Sequence, residues 1–286
     1  MVRVFAPASV SNVGPGFDVL GFALHRPRDC VEAEAASTPG VELVEVTGDG
    51  GALPRRANRN AAAVAAGEVL RAASHTPAGR ASRPAGLRLR LQKGLPLQSG
   101  LGSSGASAAA GAAAANELLG RPFSPDDLVV FAMEGERIAC GSAHADNVAP
   151  SLLGGFVLVR SYAPLEIVRL PVPEGLFVSV VHPHCAVSTR LARDLLTGRA
   201  FALPDIVRNT GNAAALVAAL YQSNLPLLGR CVDDRLVEPV LAALIPGFDA
   251  VRSSAIEAGA LACSVSGSGP TLFAFADSEE DRKSVV

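Results

Sequence analysis

Four stretches of the 286-residue chain hold residue types that could do chemistry. The first is Gly100-Leu101-Gly102-Ser103-Ser104, which follows Pro96 and leads into a run of small residues. Backbone N–H groups of such a loop can converge on one point, and a helix N-terminus behind it adds partial positive charge, so the pattern suits a phosphate. A plain Gly/Ser turn capping a helix has the same composition. The strand–loop–helix setting and the paired hydroxyls favour phosphate. The second stretch, Asn12-Val13-Gly14-Pro15-Gly16-Phe17-Asp18, sets an amide and a carboxylate six residues apart across a tight turn. They could orient a small polar substrate or merely serve the turn. The third is Ser266-Gly267-Ser268-Gly269-Pro270-Thr271, either a hairpin turn or a close approach to a ligand. The fourth pairs Glu134 and Glu136 with Ser142-Ala143-His144-Ala145-Asp146-Asn147. A nucleotide loop needs a carboxylate for Mg²⁺; Glu136 falls beside the apolar side of its helix and Glu134 nearer solvent.

Other chemistries are excluded or disfavoured. The chain has 25 basic residues, of which only Lys93 and Lys283 are lysines, and no GxxxxGK[ST] loop, so the P-loop NTPase route is closed. No GxSxG elbow is present. His182-Pro183-His184-Cys185 lacks further clustered ligands and reads as a strand end rather than a metal site. A net charge of −2 without a basic stripe argues against nucleic acid. Five scattered cysteines without CxxC fit a reducing compartment. The N-terminus does not read as a signal peptide, and the Ala-rich run 106–115 is too short and too interrupted for a bilayer. The expectation is a soluble cytoplasmic protein with no membrane partner.

These loops need elements to hold them. At about 150 residues per domain the length suggests two domains or one large one, and 49% apolar residues suffice for a core. Apolar runs and alternation predict strands near 2–6, 17–24, 41–46, 87–91, 156–160, 176–182, 261–266 and 271–276. Helices are predicted at 60–73 with Asn60 as N-cap, at 105–119, from Ser124-Pro125 onward, and near 188–197, 204–222 and 248–258. Ser124 and Asp127 form a capping-box pair. The helix after them should bury Leu128, Phe131, Ala132, Gly135, Ile138 and Ala139. Residues 74–86 read as a loop, and a soft domain boundary falls at 155–165.

Together, the three loops at 11–18, 96–104 and 266–271, in that order and spacing, resemble the GHMP kinase superfamily over residues 1 to about 277. Gly141 to Pro150 followed by Gly154-Gly155, and Ser188-Thr189 followed by Arg193, are similar to the homoserine kinase family within it. The resemblance implies an α+β, two-domain GHMP kinase fold. A ribosomal-S5-domain-2-like N-terminal domain (1–158) would carry the phosphate loop, and a ferredoxin-like C-terminal domain (159–286) would close the cleft. It implies ATP and Mg²⁺ as cofactors, L-homoserine as substrate, O-phospho-L-homoserine on the way to threonine as product, and a homodimer. It places Pro96, Gly100, Leu101, Gly102, Ser103 and Ser104 with Gly267 and Gly269 around ATP, and Asn60 near adenine. Ser104 and Glu136 would hold Mg²⁺. Asn12, Asp18, Asn147 and Arg193 would surround homoserine, with Asp18 facing the amino group and Arg193 the carboxylate. Thr189 would border the reacting phosphoryl group, beside Asn147 and Arg193 as catalytic residues. Some relatives carry an Asp base where Asn147 stands, and an amide is no base, so catalysis by positioning and charge stabilisation is expected.

Two departures qualify the likeness. Glu238-Pro239-Val240-Leu241 matches the family's Glu-Pro-x-Arg block except at Leu241. A second partner for the substrate carboxylate would then be missing unless Arg235 or Arg252 replaces it. The family also continues into another helix and strand where residues 277–286 are charged and aperiodic, so the C-terminal domain is expected to be truncated or divergent at its end. The alternatives are a GHMP kinase for another small hydroxylated acid, or a lapsed metabolite-binding relative.

Overall fold

A computed structural model describes residues 1–75 and 84–278. Most of the expected 74–86 loop and the last eight residues, with Lys283, lie outside the described residues. The chain divides into two compact units, each discontinuous in sequence.

Unit one comprises residues 1–9, 23–97 and 102–154. Its elements are β1 (Val2–Ser11) up to Ser9, most of β2 (Leu20–Ala36), β3 (Gly40–Thr47), α1 (Ala61–Ala73), β4 (Gly86–Gln92), α2 (Ser103–Leu118), α3 (Pro125–Cys140) and α4 (Ala145–Leu153). The strict alternation of Leu87-Arg88-Leu89-Arg90-Leu91 buries the leucines and leaves the arginines half-buried, as a strand with one covered face requires. β4 pairs antiparallel with β2, Cys30 opposite Gln92, and parallel with β3, Gly40 opposite Gly86. β2 is longer than the predicted 17–24. The polar residues His25 to Asp29 do not end it, because tertiary pairing overrides weak local preference.

The Asn60 side chain caps α1, accepting from Ala62 and Ala63 N–H. Ser124 and Asp127 form the expected capping box of α3. Helices α1, α2 and α3 pack on one another through small residues. At Gly111 a Cβ would lie 2.2 Å from the Ala62 carbonyl oxygen, so the approach admits no side chain. The α3 face differs from its prediction: Leu128, Val129, Ala132, Gly135 and Glu136 are buried, whereas Ile138 and Ala139 are exposed. The covered stripe ends before the last turn.

Unit two comprises residues 10–22, 98–101 and 155–278 of the described chain. It holds β5 (Phe156–Tyr162), β6 (Leu165–Leu170), β7 (Phe177–Val181), α5 (Thr189–Leu196), α6 (Leu203–Gln222), α7 (Leu225–Cys231), α8 (Glu238–Ala242), α9 (Phe248–Glu257), β8 (Ala262–Val265) and β9 (Leu272–Ala276). β5 pairs with β6 and with the first residues of β2, Leu20 opposite Leu158. β7, β9 and β8 form an antiparallel sheet in that order. Phe22, Phe156, Phe273 and Phe275 stack with centroid distances of 4.7 to 6.2 Å. A second cluster gathers Val187, Ala192, Val237, Leu241, Ile245 and Phe248. No helix among the described residues is long and apolar enough to cross a membrane.

Candidate functional site

In unit one, β4 runs into the glycine-rich loop and α2 leaves it. Helix α2 starts at Ser103, two residues earlier than predicted, because Gly102 takes the N-cap with φ +65°. A Cβ on Gly102 would meet Ser9 Oγ at 2.2 Å and Asn147 Oδ1 at 2.6 Å, so only glycine fits. Ser9 Oγ donates to Asn147 Oδ1 at 2.9 Å. Asn147, on α4, is thereby held against the first turn of α2.

Beneath that turn lies a buried ion pair. Lys93 Nζ binds Asp29 Oδ2 and donates to Ser103 O and Ser107 Oγ, both at 2.9 Å. The other Asp29 oxygen accepts from Gly94 and Leu95 N–H at 2.9 and 3.1 Å. One pair therefore fixes both the loop entry and the helix start. Burial depresses the Lys93 ammonium, opposed by Asp29.

Above it, Ser104 and Glu136 converge on Cys140. The thiol lies 3.5 Å from Ser104 Oγ and donates to Glu136 Oε1 at 3.0 Å. Glu136 is 5% exposed, and its Oε2 is buried without a partner. Ser103 Oγ is likewise buried and unpartnered. Burial raises the Glu136 carboxyl, opposed by Cys140, Ser104 and Lys93. A hard cation suits this site: a buried carboxylate oxygen lacks a donor, and the Ser104 hydroxyl lies beside the same carboxyl group. Glu134 pairs instead with exposed Arg137.

In unit two, loop residues 98–101 are laced to the β8–β9 turn. Ser266 Oγ donates to Gly100 O at 2.6 Å, and Thr271 N–H donates to Ser99 O at 3.1 Å. A Cβ on Gly100 would lie 2.5 Å from Ser266 O and 2.7 Å from Gly269 O. Leu101 is buried, and its N–H donates to Ser99 Oγ at 3.3 Å. The Asn12 side chain ties two segments: Nδ2 donates to Gly267 O at 3.0 Å, and Oδ1 accepts from Asp18 N–H at 2.8 Å. Arg193, on α5, grips Asp18 with two hydrogen bonds of 2.8 and 3.0 Å, and its guanidinium lies 5.4 Å from the Phe17 ring centroid. Thr189 Oγ1 is 3.1 Å from Ser268 Oγ.

The predicted residues thus form two groups. Unit one brings together Gly102, Ser103, Ser104, Glu136 and Asn147. Unit two brings together Asn12, Asp18, Arg193, Gly100, Gly267, Gly269 and Thr189. Pro96 is exposed in unit one. Asn60 is buried, its oxygen capping α1 and its nitrogen donating to Pro54 O at 3.3 Å. Leu241 is 2% exposed, a core residue, so its side chain offers nothing to a carboxylate. Of the suggested replacements, Arg252 binds Glu238 through Nη1 and Arg235 binds Asp233 through Nε, and both line a cleft that includes neither Asp18 nor Arg193. Cys140 escaped the sequence reading, although its place one helical turn after Glu136 marks it as a neighbour. Lys93 and Asp29, 64 residues apart, left no local signal of their pairing. His182 Nδ1 lies 3.0 Å from Thr271 Oγ1, and no metal-binding cluster of His, Cys, Asp or Glu occurs among the described residues.

Comparison with known proteins bears on the family and the fold. Residues 61–155 match the model of the GHMP kinases N terminal domain, and residues 216–286 that of the GHMP kinases C terminal. The chain is 49% identical to a homoserine kinase of Chlorobium phaeobacteroides, over 99% of this chain and 89% of that protein. It is 50% identical to the homoserine kinase of Chlorobium phaeovibrioides, over 98% and 88%. The crystal structure of homoserine kinase from Cytophaga hutchinsonii superposes with a TM-score of 0.92 at 48% identity, covering 99% of this chain and 87% of that one. An L. major mevalonate kinase shares the fold alone, with a TM-score of 0.75 at 17% identity.

Proposed function

The chain belongs to the homoserine kinase family of the GHMP kinases, and from that premise we propose that it transfers the γ-phosphoryl group of ATP to the side-chain hydroxyl of L-homoserine, giving ADP and O-phospho-L-homoserine. The near-full-length identity to homoserine kinases carries this reading.

In it, Gly100, Leu101, Gly102, Ser103 and Ser104 receive the ATP phosphates, with Pro96, Gly267 and Gly269 bordering the nucleotide. Backbone N–H groups at the start of α2 and the unpartnered Ser103 hydroxyl are the donors. Asn60 lies on the adenine side, and any contact with the base uses groups other than its capping oxygen. Ser104 and Glu136 hold Mg²⁺, which supplies charge neutralisation for the transferring phosphoryl group. The orphaned Glu136 oxygen supports that assignment. Asp18 takes the substrate ammonium and Arg193 its carboxylate, so a zwitterion exchanges one internal pair for two of its own. Asn12 fixes the Asp18 turn through its side-chain oxygen. Asn147 orients the substrate hydroxyl, and Thr189 borders the phosphoryl group. Asn147 cannot accept the hydroxyl proton, and its Oδ1 already takes a hydrogen bond from Ser9. Catalysis therefore runs on positioning and charge stabilisation, which a loose phosphoryl-transfer transition state permits. The cytoplasm and a homodimer complete the proposal.

Phosphorus NMR of a reaction with ATP and L-homoserine tests it: a phosphomonoester signal matching O-phospho-L-homoserine is expected, and ATP consumption without that product contradicts it. A pH–rate profile with a steep acidic limb near neutrality would contradict the base-free mechanism. One observation favours a second reading, phosphorylation of another small hydroxylated acid. Leu241 is buried in the core, and Arg235 and Arg252 line a cleft that includes neither Asp18 nor Arg193, which leaves Arg193 as the one assigned partner for a substrate carboxylate.

A further inference from the structure

Unit two carries a cleft of about 370 Å³ lined by four arginines: Arg208 on α6, Arg230 on α7, Arg235 between α7 and α8, and Arg252 on α9. Asp233 is the one acid in its lining. Counting also Glu238, which binds Arg252 from outside the lining, the four arginines face two carboxylates, a formal excess of two positive charges in a chain whose net charge is −2. Cys263, also in the lining, adds no negative charge, because burial pushes its thiol up to about 11.

Three of the arginines are held by carboxylates that are themselves anchored. Arg208 Nε and Arg235 Nε bind the same Asp233 oxygen at 3.0 and 3.2 Å. Asn212 fixes that residue by donating to its carbonyl at 2.8 Å, and Asn209 Oδ1 accepts the Arg235 N–H at 3.1 Å. Arg252 Nη1 binds Glu238 at 2.7 Å, and Ser264 binds the other Glu238 oxygen. These contacts leave both Nη groups of Arg208 and of Arg235, and Nη2 of Arg252, without a hydrogen-bond partner among the described residues. Side-chain entropy has been given up, while the forks that match oxyanions stay available. Val232, Ile256 and Ala262 supply an apolar strip beside them. The volume lies in the range of small-molecule sites.

We propose that this cleft binds a small organic dianion, a phosphate monoester or a dicarboxylate, at a site that shares no residue with the reaction site assigned above. The charge excess requires two negative charges rather than one, and the apolar strip requires a carbon skeleton rather than a bare ion.

Isothermal titration of the full chain tests it, with L-phosphoserine, glutarate and inorganic phosphate as separate ligands. A non-hydrolysable MgATP analogue and L-homoserine are present at saturation, so that the reaction site is filled. One organic dianion is expected to bind with a stoichiometry near one, more tightly than inorganic phosphate; which of the two wins identifies the chemistry. Arg208→Gln with Arg230→Gln should weaken it by at least about tenfold, since charge-assisted contacts are lost. Arg230→Glu alone should weaken it as well, at an unchanged melting temperature. Added salt should weaken it further. No binding to the wild type, unchanged affinity in the double variant, or inorganic phosphate binding as tightly as either organic ligand would overturn the proposal.

Discussion

Replacing Arg193 by alanine tests the substrate assignment at its most exposed joint. Arg193 and Asp18 hold each other through hydrogen bonds of 2.8 and 3.0 Å, with side chains 34% and 26% exposed. A pair so open to water contributes about 0–1 kcal/mol to folding, so the variant should remain folded. Its cost should fall on substrate binding. A charge-assisted hydrogen bond to a carboxylate is worth ~1.5–3 kcal/mol, and about 1.36 kcal/mol corresponds to tenfold. Arg193→Ala should therefore lower kcat/KM for homoserine by roughly 10- to 150-fold, with KM for ATP within about twofold of wild type. Coupled ADP-release kinetics with each substrate varied in turn, beside thermal denaturation, provide the readout. A kcat/KM for homoserine within about threefold of wild type would refute the assignment. So would a fall in melting temperature that accounts for the lost activity.

Glu136→Ala should keep its fold and lose about a hundredfold or more in kcat, with the Mg²⁺ dependence of the residual rate shifted to higher concentration; a variant with full activity removes Glu136 from the metal site. Leu241→Ala should cost about 2–5 kcal/mol of stability in urea unfolding, as for other buried leucines; a loss below about 1 kcal/mol would mean that the side chain is not packed as described. Burial raises the Glu238 carboxyl above its ordinary 4.5, so between that value and the native one the folded state binds the proton more tightly than the unfolded state. Stability should fall as pH rises through that window, and Glu238→Gln should flatten the fall; an unchanged slope would assign the dependence to other groups.

Much of this was legible wherever the cause is local. The Ser124–Asp127 capping box, the Asn60 cap and the alternation at 87–91 depend on residues within a few positions of one another, and all three stand in the structure. Elements with a tertiary cause were not legible. β2 runs on past the charged residues 25–29 and pairs with β4 from Cys30 onward, and α4 forms although it contains Pro150. The site divides in the same way. Glycine and serine composition marked the loops, and helical phase separated Glu136 from Glu134. The Asp18–Arg193 contact spans 175 positions and has no local signature. Leu241 reads as a gap in a substrate clamp when seen against a family pattern. Within the fold it is a core leucine, because its neighbours Val237, Ile245 and Phe248 close around it.

The hydroxyl that receives the phosphoryl group defines the reaction. The most direct measurement is the steady-state rate of ADP release with L-homoserine, R-mevalonate, shikimate or no acceptor, at saturating ATP and Mg²⁺. Turnover with L-homoserine alone, with the other acceptors at the acceptor-free background, is the predicted result. A higher kcat/KM for another acceptor, or homoserine binding without ADP release, would contradict the account.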